Sequence, residues 1–238
     1  RAMGTVVENS AFWNTGWGVS LVNTRTSVLE NLTFVASTLA GIHLSGTLID
    51  TLQNNIFIPA EGAYAYSIGT TTSLLTSATM DYNLYDFGGP DLRFHEGATN
   101  DFRKWQLGMN KDFRSAITNA DLVEIAFEPL DFHPKSEYGR WTESGWTTTD
   151  TNTSWAVDHG DPYGDYSREP TNNGERINIG MYGNTEQASM GSTNVEFEVR
   201  TLLDPTQIIR SSDSIWPMIW SAHLLDESER GLVQFSGN

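Results

Sequence analysis

The chain has 238 residues, 38% of them hydrophobic and 27 aromatic (8 Trp, 8 Tyr, 11 Phe), too apolar for a disordered segment and long enough to bury a core. Its 30 acidic residues outnumber 14 basic ones, and the formal charge of -16 repels phosphate backbones and anionic lipid surfaces, which argues against nucleic acid as a partner. Cysteine is absent, which removes disulfides, thiolate metal sites and cysteine nucleophiles, and no run approaches the roughly 20 apolar residues of a membrane span.

The first element is VVENSAFW, from Val6 to Trp13. VLENLTFV from Val28 and TLQNNIFI from Thr51 repeat it, 22 and then 23 residues apart. Asn9, Asn31 and Asn54 share one column and Phe12, Phe34 and Phe57 another, and a second short strand follows each copy, at Gly18, Gly41 and Ala63. Periods in the low twenties mark stacked coils, in which each strand pairs with the same strand one turn away. The Val, Thr, Phe and Ile content and the lack of a 3.6-residue apolar stripe favour strands over helices. The Asn column fits a tight corner, since Asn tolerates left-handed backbone and its amide can bond to the Asn of the next coil.

A fourth, degenerate coil is expected around Asp81 to Tyr85, with Asn83 following Asn54 by 29 residues and an insertion near Thr70 to Thr76. Next, Phe102 to Met109 reads as a short helix anchored by Trp105. From Pro134 to Asp165 the composition turns to Gly, Thr, Ser, Asp and Trp, the character of long ordered loops laid against the coils. Alternation returns at Val195 to Arg200 and near Met218 to Trp220 and Leu232 to Phe235, as expected for further strands.

The order DYNLY, FRKWQ, KDFRS, DFHPKSEYGRW and DHGDPYGDYSREPTNNGERINIGMYGNTEQAS resembles the C-terminal part of bacterial secreted right-handed parallel β-helix repeat proteins, over roughly residues 5 to 190. Its most specific stretch is Asp158 to Ser189, and it departs from the usual pattern at Pro134 and His159. The resemblance implies an all-β protein: right-handed parallel β-helix (solenoid) coils with a long C-terminal loop cap over residues 1–190, then the start of a truncated immunoglobulin-like β-sandwich, or terminal strands, over residues 191–238. It also implies an extracellular or cell-surface location in bacteria. Because some parallel β-helices are polysaccharide lyases or epimerases, an enzyme tail is one functional class; the other is a noncatalytic scaffold or glycan-binding module. The matched motif is terminal and carries no catalytic residue over.

Asp158, Asp161 and Asp165, with Glu169 close behind, offer hard oxygen ligands that suit Ca²⁺, against the competing reading that each caps a turn. Arg176 suits either a sugar carboxylate or an internal pair with Glu169 or Asp161. Trp141, Trp146 and Trp155 offer flat faces for stacking on sugar rings, against the competing reading that they plaster the loop onto the coils; Gly145 and Thr147 single out Trp146 as the exposed one. His133, Lys135 and Arg140 are the local candidates for a lyase base. The acidic balance favours a scaffold over a site for acidic polysaccharides. Finally, a first coil without a cap leaves an open strand edge, so upstream coils or another protein chain are expected to cover Thr5 to Trp13.

Overall fold

The computed structural model describes residues 4–69, 78–95 and 101–192. Within them the architecture is mostly strand with one helix, and the sheets that carry the repeat are parallel. β1 (Val6–Trp13) pairs with β3 (Ser27–Val35), and β3 with β5 (Ile49–Gln53) and β6 (Ile56–Ile58). β8 (Thr79–Asp81) and β9 (Leu84–Tyr85) follow on β5 and β6, and β10 (Ala116–Ile117) joins β9. A second parallel sheet runs from β2 (Trp17–Val22) through β4 (Ala40–Ser45) to β7 (Tyr64–Ile68).

Partners stand one repeat apart, Val19 beside Ile42 and Ile42 beside Tyr66, so the copies read from the sequence lie side by side in phase. Inward positions are sealed: Leu29, Leu32, Ile42, Leu44, Ile49 and Leu52 expose none of their surface. The Phe column becomes a stack in which Phe12, Phe34, Phe57 and Tyr85 follow one another at ring-centroid spacings of 5.2, 5.0 and 5.3 Å, with planes within 13°. Burying each such ring is worth roughly 1.5–3 kcal/mol, so the column is a main source of stability.

The Asn column adopts the expected left-handed backbone, with φ of 45° at Asn9, 51° at Asn31 and 55° at Asn54. Its amides do not act as expected. Asn9 Nδ2 donates to the carbonyls of Met181 and Gly183, and Asn54 Oδ1 accepts from the Asp161 amide, so these side chains hold the loop cap. The fourth coil is also offset by one residue from the expected alignment. Gln53 pairs with Asp81 and Ile56 with Leu84, which sets Tyr82, at φ 55°, in the left-handed position and aligns Asn83 with Asn55.

The polar ladder therefore runs one residue further on, inside the core. Asn55 Nδ2 donates to Asn83 Oδ1 (3.1 Å), and Asn83 Nδ2 donates to Asp112 Oδ1 (3.1 Å). The backbone supplies the remaining partners, with Leu32 N donating to Asn55 Oδ1 and Asn83 Nδ2 donating to Leu52 O. Such a ladder satisfies polar atoms that would otherwise be costly to bury.

The expected helix, α1, spans Phe102–Met109. Asp101 caps it by accepting from Lys104 N, and Asn110 ends it in the left-handed conformation. Its one buried residue, Trp105, stacks on Phe94 (5.2 Å) and Tyr66 (5.9 Å). Beyond it come two antiparallel pairs, β11 (Leu122–Glu124) with β12 (Asp131–Pro134) and β13 (Arg140–Thr142) with β14 (Gly145–Thr147). The segment around residues 158–183 is tied to the coils by Gly180 N to Asn54 O (2.8 Å) and Met181 N to Thr33 Oγ1 (3.0 Å).

Among the described residues no helix is long and apolar enough to cross a membrane. The insertion expected at Thr70 to Thr76, and the strands expected at 195–200, 218–220 and 232–235 as the start of a β-sandwich, lie outside the described residues.

Candidate functional site: the tryptophan hairpin and the loop cap

β13 and β14 form a hairpin around Glu143 and Ser144. The turn is held by Thr142 Oγ1 donating to Gly145 O (2.6 Å) and accepting from Ser144 N (3.3 Å), and Gly145 takes φ of +110°. Its register sets Trp141 opposite Trp146, and directly opposed residues of an antiparallel pair project on the same face. Trp146 is 45% exposed, and Trp141 is half-buried over His133 with ring centroids 5.7 Å apart.

Beneath the hairpin, the buried Arg140 guanidinium forks onto Asp150, with Nε to Oδ2 at 2.8 Å and Nη2 to Oδ1 at 3.2 Å, and reaches Asp131 Oδ2 at 3.3 Å. His133 Nδ1 and Asp131 Oδ1 lie 2.6 Å apart, and the imidazole stacks on Tyr182 at 3.6 Å. Burial works against both carboxylates, yet hydrogen bonds from His133 hold Asp131, and those from Arg140 and Ser136 N hold Asp150, below the usual carboxylate range. The result is a rigid polar floor. Among the described residues His133 Nε2 is sealed from solvent and has no hydrogen-bond partner, so they leave the imidazole no space where a substrate proton could sit. Of the three lyase candidates, His133 and Arg140 come together in this network; Lys135 joins it through its field on Asp150.

Trp155 goes elsewhere. Its ring lies 4.4 Å from that of His159 and packs against the apolar cluster of Val35, Ile56 and Leu84, so it covers the coils.

The acidic residues do separate jobs. Asp161 Oδ1 accepts from Tyr163 N (3.1 Å), and Asp165 Oδ1 accepts from Ser167 N (2.9 Å) while its Oδ2 accepts from Asn184 Nδ2 (3.1 Å). Asp158 turns its carboxyl inward against Gly174 and Gly191, where a Cβ would meet its Oδ2 at 2.5 and 1.5 Å. Burial, then the neighbouring Glu169 charge, pushes the Asp158 carboxyl up to about 8, with Arg176 opposing. Glu169 accepts from Asn178 N and Asn184 N through Oε1, and burial pushes it up to about 7. Among the described residues no group of three or more His, Asp or Glu side chains is placed to hold a metal ion. Arg176 donates to the carbonyls of His159 and Gly160 and lies over Tyr82, which pins the loop.

Comparison with protein-family models, curated proteins and solved structures returns no match. Sequence reading groups His133 with Arg140 but misses their partners Asp131 and Asp150 in the network, because the contacts depend on how β12, β13 and the segment after β14 fold back on one another. The one sequence signal for it is DFHPKSEYGRW, where acid, imidazole and guanidinium recur at short spacing.

Proposed function

We propose that this chain forms coils of a right-handed parallel β-helix serving as a noncatalytic extracellular or cell-surface scaffold, and that its loop cap displays a carbohydrate-binding face at Trp141 and Trp146. The in-phase parallel pairing supports the coil reading. Right-handedness follows from the strong bias of parallel crossovers.

One observation carries the binding reading: two tryptophans directly opposite each other in the register of one hairpin, Trp146 45% exposed, over a floor locked by Arg140. A rigid exposed aromatic binds at low entropic cost. The alternative, the tail of a lyase or epimerase, draws on the Asp131 and His133 pair, but that imidazole is sealed beneath Tyr182 and Trp141. Among the described residues β1 pairs only with β3 and β2 only with β4, so their outer edges suit a further coil of the same kind.

The test is a glycan array read with the wild-type chain and with Trp146→Ala. The reading requires a wild-type signal that the substitution abolishes; an equal signal from both proteins would move binding away from the hairpin.

A further inference from the structure

We infer that the Trp141 and Trp146 face selects uncharged glycans and rejects uronates. The inference rests on the carbohydrate reading above and names the substrate class of that site.

An aromatic platform becomes a uronate site when a cation stands beside it to take the sugar carboxylate, and a guanidinium does this best through its bidentate fork. Here the guanidinium nearest in sequence is already spent. Arg140 adjoins Trp141 in β13, yet both branches of its fork go to Asp150 and its remaining nitrogen goes to Asp131, with the side chain buried beneath the hairpin. Releasing it would strand two carboxylates that burial already penalises. Lys135, the other cation of this segment, lies outside the hairpin, half-buried between the buried Pro134 and Ser136.

With Arg140 buried, the exposed charge on the hairpin is negative. Glu143 is exposed in the turn between the two tryptophans. Glu137 is exposed two residues after Lys135, and the chain as a whole carries -16. A uronate approaching the indoles meets the exposed Glu143, and among the described residues of the hairpin the one cation, Arg140, is already paired, whereas a neutral ring meets only the apolar faces. The register also limits the footprint: directly opposed cross-strand residues stand about 5 Å apart at Cβ, so the two indoles together underlie a short stretch of glycan and leave the affinity modest.

The experiment is a tryptophan-fluorescence titration of the full chain at low salt with two oligosaccharide sets. One is neutral (cello-, xylo-, manno- and galacto-oligosaccharides) and the other acidic (oligogalacturonate, oligoalginate and oligoglucuronate), both repeated on Trp146→Ala. At least one neutral oligosaccharide is expected to quench in the wild type and not in Trp146→Ala, with every uronate at least about tenfold weaker. A uronate that binds as well as the best neutral ligand through Trp146, weakening as salt rises, overturns the selectivity and leaves the glycan reading intact. Silence from both sets, or quenching unchanged in Trp146→Ala, overturns the glycan reading and the selectivity with it.

Discussion

Gly18 lies beneath the ring of Phe34: a Cβ on Gly18 would stand 2.4 Å from Phe34 Cδ1 and 2.7 Å from the carbonyl oxygen of Gly41. One coil on, Gly41 stands in the same way beneath Phe57, with a Cβ at 2.8 Å from Cδ1. The stacked rings thus have room because the second strand of the preceding coil offers bare backbone. Gly18→Ala should destabilise by roughly 1–3 kcal/mol, the usual cost of overpacking a filled core, and Gly41→Ala similarly. Urea unfolding measures it, and a midpoint within error of wild type for both variants would contradict the packing.

Asp112 is wholly buried and accepts from Ser115 Oγ (2.6 Å), Trp105 Nε1 (2.8 Å), Tyr85 OH (2.9 Å) and Asn83 Nδ2 (3.1 Å). Burial outweighs these bonds and pushes its carboxyl from the ordinary 3.8 up to about 6. A folded carboxyl that binds its proton more tightly than the unfolded one contributes stability that is fully present below its ordinary value and lost as pH rises through the folded value. Asp158 and Glu169 act in the same direction up to about 8 and about 7. Unfolding midpoints are therefore expected to fall from pH 4 to pH 8, with the portion between 4 and 6 flattened in Asp112→Asn. Wild-type midpoints that climb across that window would refute the assignment.

The floor of the hairpin makes Arg140 irreplaceable by lysine. A single ammonium cannot reproduce the fork onto Asp150 together with the contact to Asp131, and removing one partner of a buried ion pair costs about 3–5 kcal/mol. Arg140→Ala is expected to show that full loss and Arg140→Lys most of it. Differential scanning calorimetry checks both, and a lysine variant as stable as wild type would show that the fork contributes little.

Asp165 distinguishes turn capping from calcium binding. Asparagine at this position keeps a carbonyl oxygen for Ser167 N and gives up only the exposed bond from Asn184 Nδ2, so Asp165→Asn should stay closer to wild type than Asp165→Ala, which loses both. Calcium and chelator should leave all three melting temperatures alike. A calcium-dependent rise that Asp165→Asn abolishes would assign this loop to the metal.

The phase of the repeated strands was legible because Phe12, Phe34 and Phe57 repeat with Asn9, Asn31 and Asn54, and parallel strands paired in phase set the same residue type side by side. The helix was legible from Trp105 and its flanking polar residues. The fourth coil was misphased by one residue because Asn83 looks like another corner asparagine. Its place is set by pairing: Tyr82 takes the left-handed turn, and the Asn83 amide is spent on Asn55 and Asp112 inside the core. No local pattern announces that ladder, since its three members, Asn55, Asn83 and Asp112, lie 28 and 29 residues apart in the chain. Trp146 was legible as the exposed indole from its Gly145 and Thr147 neighbours, whereas the fates of Trp141 and Trp155 were a tertiary matter: Trp141 is half-buried over His133, and Trp155 is taken up by the strands it covers.

The sequence copies pair in parallel, each residue beside its equivalent a repeat later. A chain without cysteine offers a clean test, because any disulfide must come from introduced residues. Ser20 and His43 stand opposite each other across β2 and β4, and adjacent strands lie about 4.8 Å apart, within the span a disulfide bridges. The double variant Ser20→Cys, His43→Cys should close an intramolecular disulfide on mild oxidation, read by intact mass and thiol titration. The out-of-register pair Ser20→Cys, Ser45→Cys should keep both thiols. Equal closure in both pairs, or closure only in the second, would contradict the parallel register on which the whole account stands.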